Sequence, residues 1–234
     1  MEAFSLSLMV TTTSVALVHA LVGPDHWLPF VMLSRARGWT LAKTALITTA
    51  CGIGHVVSSI ALGLFGTALG WQATRLAGVE SARGELASWL LVAFGVAYAA
   101  WGTRRAIRRR RGLHLHDHDG VVHLHGHGGA AHDHQSGGAA TATVFWALFV
   151  LFVLGPCEPM IPLLVAPASR GQWALAASVA AVFLVVTLAV MLAAVIVLRL
   201  GFERASFGRL ERWSHALAGG AIASCGLAVL LLGV

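Results

Sequence analysis

The chain has 234 residues, of which 57% are hydrophobic and only 11% charged, with a mean hydropathy of +0.78 and a net charge of +6. Soluble domains carry about a quarter charged residues, so this composition excludes an ordinary water-soluble globule and points to a polytopic helical membrane protein. Its three cysteines, Cys51, Cys157 and Cys225, all lie in apolar stretches, which excludes a secreted disulfide scaffold.

No basic residue precedes the first apolar run, so the first helix is expected to remain in the mature protein rather than to act as a cleaved leader. A helix needs about 20 apolar residues to cross a bilayer. With charges taken as punctuation, six candidates follow in chain order, at roughly 4–34, 44–70, 86–103, 143–168, 172–198 and 214–233. The first and fourth contain Gly-Pro pairs, which break a helix and free backbone carbonyls at membrane depth. Such a break is tolerated only against protein or a wet cavity. Glycines and tryptophans, 26 and 8 of them, suit helices packed through small residues and anchored by aromatic ones.

Thirteen of the sixteen Lys and Arg residues fall in alternate loops: Arg35, Arg37 and Lys43, then Arg104, Arg105 and Arg108 to Arg111, then Arg199, Arg204, Arg209 and Arg212. Arg75, Arg83 and Arg170 occupy the others. The positive-inside rule therefore predicts both termini outside and the long loop after the third span in the cytoplasm. The Arg108–Arg111 run reads as contact with anionic lipid headgroups, not nucleic acid.

An internal repeat is visible. Leu21-Val22-Gly23-Pro24-Asp25-His26 resembles Val153-Leu154-Gly155-Pro156-Cys157-Glu158, 132 residues later, and each is followed by a further proline, Pro29 or Pro162. Glu80 and Trp89 are echoed more weakly by Glu203 and Trp213. Three spans per half make the second copy enter from the opposite side. The expected fold is thus all-α, six transmembrane helices as two inverted three-helix repeats over 1–103 and 143–234, with helices one and four broken. Inverted repeats with broken helices place a substrate site near the midplane and support alternating access.

Placing an Asp at a helix centre in the bilayer costs roughly 2.5 to 3.5 kcal/mol on insertion scales, so membrane-embedded polar residues are functional candidates. Here they are His19, Asp25 and His26 on the first span, His55 on the second, and Cys157 with Glu158 on the fourth. Imidazoles, carboxylates and a thiol suit a borderline transition metal, whereas hard Mg and Ca prefer oxygen alone. The Gly23-Pro24 break would fold Asp25 and His26 back toward His19, where the carboxylate either ligates metal or accepts the free ring N–H of a ligating histidine. Cys51, four residues before His55, is read as a packing residue, as is Cys225; His215, beside Trp213, is read as interfacial.

Residues 104–142 form a loop of different composition. Eight of the twelve histidines, His114, His116, His118, His123, His125, His127, His132 and His134, follow a nine-residue repeat. The glycine-rich, polar composition predicts a segment disordered without metal, and alternating His-x-His predicts loose multidentate chelation in an auxiliary trap or sensor. Protonation near pH 6.5 weakens such binding.

His19, Gly23 and Asp25-His26 resemble the first-helix signature of the hydrogenase/urease accessory (HupE/UreJ-type) nickel permeases. They also resemble the His-x4-Asp-His signature of the nickel/cobalt permeases, although the spacing here is His-x5-Asp-His. Gly-His-Val-Val-Ser-Ser at 54–59 and Gly-Pro-Cys-Glu-Pro at 155–159 resemble the UreH-type transmembrane domain, grouped with sulfite-exporter-like (TauE/SafE, LysE-type) proteins. The likeness implies a bacterial inner-membrane secondary transporter of nickel or cobalt, with zinc as a further cargo. His19, Asp25, His26 and His55 are the matching metal residues; Gly-Pro-Cys-Glu-Pro is not a standard motif of those permeases.

The expected partners are the lipid bilayer and transition-metal ions, with no permanent cofactor, no nucleic acid, no enzymatic activity and homo-oligomerisation left open. Export is favoured slightly over uptake, because a cytoplasmic His trap would feed an exporter. A thiol-disulfide electron carrier would need two cysteines within about 7 Å between Cα atoms, and Cys157 faces Asp25 in the repeat rather than a second cysteine. An intramembrane metalloprotease would need a His-Glu-x-x-His helix, which the sequence lacks. An exporter of sulfite-like anions, using the positive ends of broken half-helices, is the remaining alternative.

Overall fold

Apolar runs this long bury their backbone only as helices, and helices dominate the computed structural model of the chain. The structure describes the backbone of residues 2–111, 113–118, 121–126, 136–203 and 208–232, with side-chain surroundings described for all of these except 73, 109–126, 136–140, 203 and 208–210. In chain order they form α1 (Glu2–Val22), a 3-10 turn (Pro24–His26), α2 (Leu28–Arg37), α3 (Leu41–Ala68), α4 (Ala73–Arg111), strands β1 (Leu113–His118) and β2 (Val121–Gly126), α5 (Ser136–Leu154), α6 (Met160–Ala168), α7 (Trp173–Glu203), a second 3-10 turn (Gly208–Trp213) and α8 (Ser214–Leu232).

Among the described residues five helices are long and apolar enough to cross a membrane: Glu2–Val22, Leu41–Ala68, Thr74–Arg108, Trp173–Phe202 and Glu211–Leu232. The fourth expected span is divided. Its apolar first part, Thr141–Leu154, falls short of that length, and Gly155 to Pro159 separate it from α6. The first expected span is likewise split into α1, the 3-10 turn and α2. The third starts at Ala73 instead of 86, because Glu80 and Arg83 do not end the helix; they pair inside it at 2.6 Å, with Glu80 fully buried.

Local chemistry sets the other ends. Thr40 caps α3 by accepting from the Lys43 backbone N–H at 3.2 Å. Gly38 ends α2 in the left-handed region at φ 62°, a conformation natural to glycine. Helix α8 lies directly on α4 through small residues: a Cβ at Gly95 would stand 2.4 Å from the Ala223 nitrogen, and one at Gly219 2.3 Å from that of Ala99. Close backbone approach of this kind is how helices associate where lipid supplies no hydrophobic drive. One apolar cluster, around Phe30, Phe152, Met191, Val195 and Ile222, joins α2, α5, α7 and α8; a second, around Leu8, Val56, Met160 and Phe183, joins α1, α3, α6 and α7. Both Gly-Pro breaks lie against these clusters.

In the His-rich stretch the backbone forms an antiparallel hairpin, where the sequence predicts an irregular segment. His114 is registered opposite His125 and His116 opposite His123. Period-two alternation of His with Leu, Asp or Val suits a strand, and the intervening Asp119-Gly120 is a dipeptide favoured between paired strands. His127, His132 and His134 lie outside the described residues.

Candidate metal centre

The site forms where the two breaks meet α3 and α4. At the first break Pro24 has no N–H, and the chain turns through Pro24–His26 before α2 begins. The carbonyl of Leu21 loses its helical donor there and accepts instead from the Trp27 indole at 3.3 Å. The turn brings the His26 ring to 4.5 Å from that of His19, centroid to centroid. Gly23 makes this possible, since a Cβ there would stand 2.6 Å from His26 Nδ1 and 2.8 Å from Asp25 Oδ1.

At the second break Pro156 and Pro159 again remove donors, and several of the freed groups find partners on other elements. In a continuous helix the Cys157 N–H would donate to the Val153 carbonyl. Here Cys157 N–H donates to Glu80 Oε2 at 3.1 Å, and the Val153 carbonyl accepts from Arg83 Nη2 at 2.7 Å. Arg83 Nη1 in turn donates to Glu80 Oε1 at 2.6 Å, so one side-chain ion pair stands in for one lost backbone hydrogen bond. Arg83 also reaches Ser58 Oγ on α3 at 2.9 Å and the Gly155 carbonyl at 3.5 Å. Unpaired, each group would cost on the order of 1 to 3 kcal/mol. The Phe152 carbonyl, which Pro156 deprives of its helical donor, accepts from the Gly155 N–H at 3.1 Å and lies 3.1 Å from His55 Nδ1.

Those contacts orient the imidazoles. A carbonyl can only accept, so Nδ1 of His55 carries the proton and Nε2 of the neutral ring bears the lone pair. His26 Nδ1 is 3.1 Å from Asp25 Oδ1, and an ionised carboxylate has the same effect. His26 Nε2 and His55 Nε2 are buried with no hydrogen-bond partner among the described residues. Two buried imidazole nitrogens, each on a ring fixed through its other nitrogen, suit metal ligands.

His19 from α1, His55 from α3 and Cys157 from the second break each offer a ligand atom, all within 4.8 Å of one another. His19 Nε2 and Cys157 Sγ are 3.7 Å apart. His26 stands beside them, its ring 5.0 Å from that of His55. A cavity of about 30 Å³, room for a single small species, adjoins Asp25, His26 and His55 and continues past Ser88 and Gly155. Two imidazoles and a thiolate match the N/S donor sets that hold tetrahedral zinc and other borderline ions, and a third imidazole completes four.

Of the residues singled out in the sequence, His19, His55 and Cys157 converge, His26 flanks them, and Asp25 sits behind His26. Glu158 is exposed and outside the group. Cys51 is fully buried beside the first apolar cluster, and Cys225 belongs to the same cluster. Glu80 and Arg83, which brace the second break, are residues of this region that the sequence reading did not place at the site. Their signal was present as an i, i+3 acid–base pair on the span that follows His55. No protein-family model, curated protein or solved structure matches this chain.

Proposed function

We propose that the protein is a secondary transporter of a divalent transition metal, nickel or cobalt foremost, across a bacterial inner membrane, with export favoured over uptake. One observation carries this reading: soft and borderline ligand atoms from three separate segments lie within 4.8 Å of one another beside two helix breaks. Its arrangement is six spans in two inverted three-helix halves, both termini outside and the His-rich segment in the cytoplasm. Thirteen of sixteen Lys and Arg residues favour that orientation.

The ion is cargo, bound and released without a catalytic step. His19, His55 and Cys157 take it, His26 supplies a fourth nitrogen, and Asp25 holds His26 in the binding tautomer. Binding needs a deprotonated sulfur and neutral imidazoles, so each metal taken up displaces protons, which couples metal movement to a proton gradient. The histidines of 114–134 raise metal concentration at one mouth and are auxiliary. Proteoliposomes loaded with a metal-sensitive dye test the reading. Nickel or cobalt flux in the wild type, abolished by His55→Ala, supports it; equal flux in both refutes it. Deleting 113–135 shifts the apparent affinity and leaves flux.

A further inference from the structure

A second cavity, of about 340 Å³, lies at the far end of the bundle from Arg170, where α2 ends, α4 becomes arginine-rich and α8 begins. Its size falls within the roughly 300–1,000 Å³ of small-molecule sites. Arg35, Arg105 and Arg212 line it with Ser214 and His215, against a single carboxylate, Glu211. Arg105 and Arg212 both line the hollow and repel one another unless an anion joins them, and among the described lining residues Glu211 offsets only one of their two charges.

Arg105 and Arg212 are exposed, and each has an indole beside it. Arg105 lies over the Trp101 ring at 5.4 Å and Arg212 over that of Trp213 at 5.6 Å, contacts that engage the guanidinium face and leave its N–H edge available. Arg35 donates to the Phe202 carbonyl. His215 is fixed through Nδ1 by the Tyr98 hydroxyl at 2.8 Å, which also accepts from Arg37 Nε at 3.3 Å. Among the described residues neither Arg105 nor Arg212 makes an ion pair. A planar fork of donors matches tetrahedral oxyanions through paired hydrogen bonds, a geometry in which arginine exceeds lysine.

We infer that this cavity binds a phosphate group, presented either by an anionic lipid headgroup or by a free phosphate compound, with Arg105 and Arg212 as its principal donors. The site is separate from the His/Cys centre and does not depend on what that centre carries. Basic hollows between membrane helices are suited to phosphorylated headgroups, and the surrounding tryptophans are residues of the membrane interface.

The full chain is purified in neutral detergent and examined in two arms. In one, it is reconstituted into nanodiscs of phosphatidylcholine alone or with an equal part of phosphatidylglycerol, then re-extracted and weighed intact by native mass spectrometry. In the other, inorganic phosphate is titrated calorimetrically. The wild type is expected to retain one phosphatidylglycerol per chain, and Arg105→Gln and Arg212→Gln each to weaken retention about tenfold or more, as loss of a charge-assisted hydrogen bond implies. Arg212→Lys falls between, and Arg170→Gln, beside Phe4, leaves retention unchanged. Loss confined to the lipid arm assigns a headgroup; arginine-dependent binding in the titration assigns free phosphate too. Equal behaviour of wild type and both glutamine variants in both arms, or an equal loss in Arg170→Gln, overturns the site.

Discussion

The two breaks share an apolar pair followed by Gly-Pro and are stabilised in opposite ways. At the first, help comes from within: Trp27, six residues on, covers the Leu21 carbonyl, and Asp25 orients the adjacent His26. At the second, help comes from outside, because Glu80 and Arg83 of α4 take the Cys157 N–H and the Val153 carbonyl. A proline therefore specifies only that partners are needed. Where they come from decides whether a break answers to its own segment or to a neighbouring helix. The first break presents an unpartnered imidazole nitrogen, whereas the second presents a sulfur whose backbone is anchored to α4.

The largest expected effect lies at the outside brace. Arg83→Leu leaves Glu80 buried without its partner and the Val153 carbonyl without a donor, and should lower unfolding stability by about 3 to 5 kcal/mol, the cost of breaking a buried pair. Thermal or denaturant unfolding in nanodiscs measures it. Replacing both residues, Glu80→Gln with Arg83→Gln, removes the orphaned charge and should recover most of the loss; no recovery would mean that charge pairing is not what braces the break.

Next comes the first break. Asp25→Asn keeps the shape but weakens the acceptor behind His26, and should reduce metal affinity by about 10- to 100-fold with little change in stability. Metal titration beside an unfolding measurement separates the two effects. An equal fall in stability would place Asp25 in the framework rather than behind a ligand.

The smallest effect tests the self-contained brace. Trp27→Phe withdraws the indole N–H from Leu21 and should cost roughly 0.5 to 1.5 kcal/mol, as one neutral hydrogen bond does. A loss as large as that of Arg83→Leu would erase the contrast between the breaks.

The breaks and the helical class were legible in the sequence, because Gly-Pro pairs and long apolar runs carry their physical meaning locally. Glu80 and Arg83 were not, since an isolated charge reads as the edge of a span and only three-dimensional pairing turns it into an interior residue. The same reason moved the start of α4 from 86 to Ala73. Glu158 illustrates the converse. It sits one residue from Cys157, yet it is exposed where Cys157 and Met160 are buried. The hairpin over β1 and β2 was signalled by His-x-His alternation around Asp119-Gly120, a pattern shared with loose chelating tracts.

In the proposed centre, sulfur from the second break and imidazoles from α1 and α3 surround one ion. Absorption spectroscopy at the nickel or cobalt edge tests it most directly, on protein lacking 113–135 so that the loop histidines contribute nothing. One sulfur neighbour is expected, near the roughly 2.3 Å typical of zinc–thiolate bonds, together with nitrogen scatterers, and the sulfur shell is lost in Cys157→Ser. A shell of nitrogen and oxygen alone, unchanged in Cys157→Ser, would contradict it.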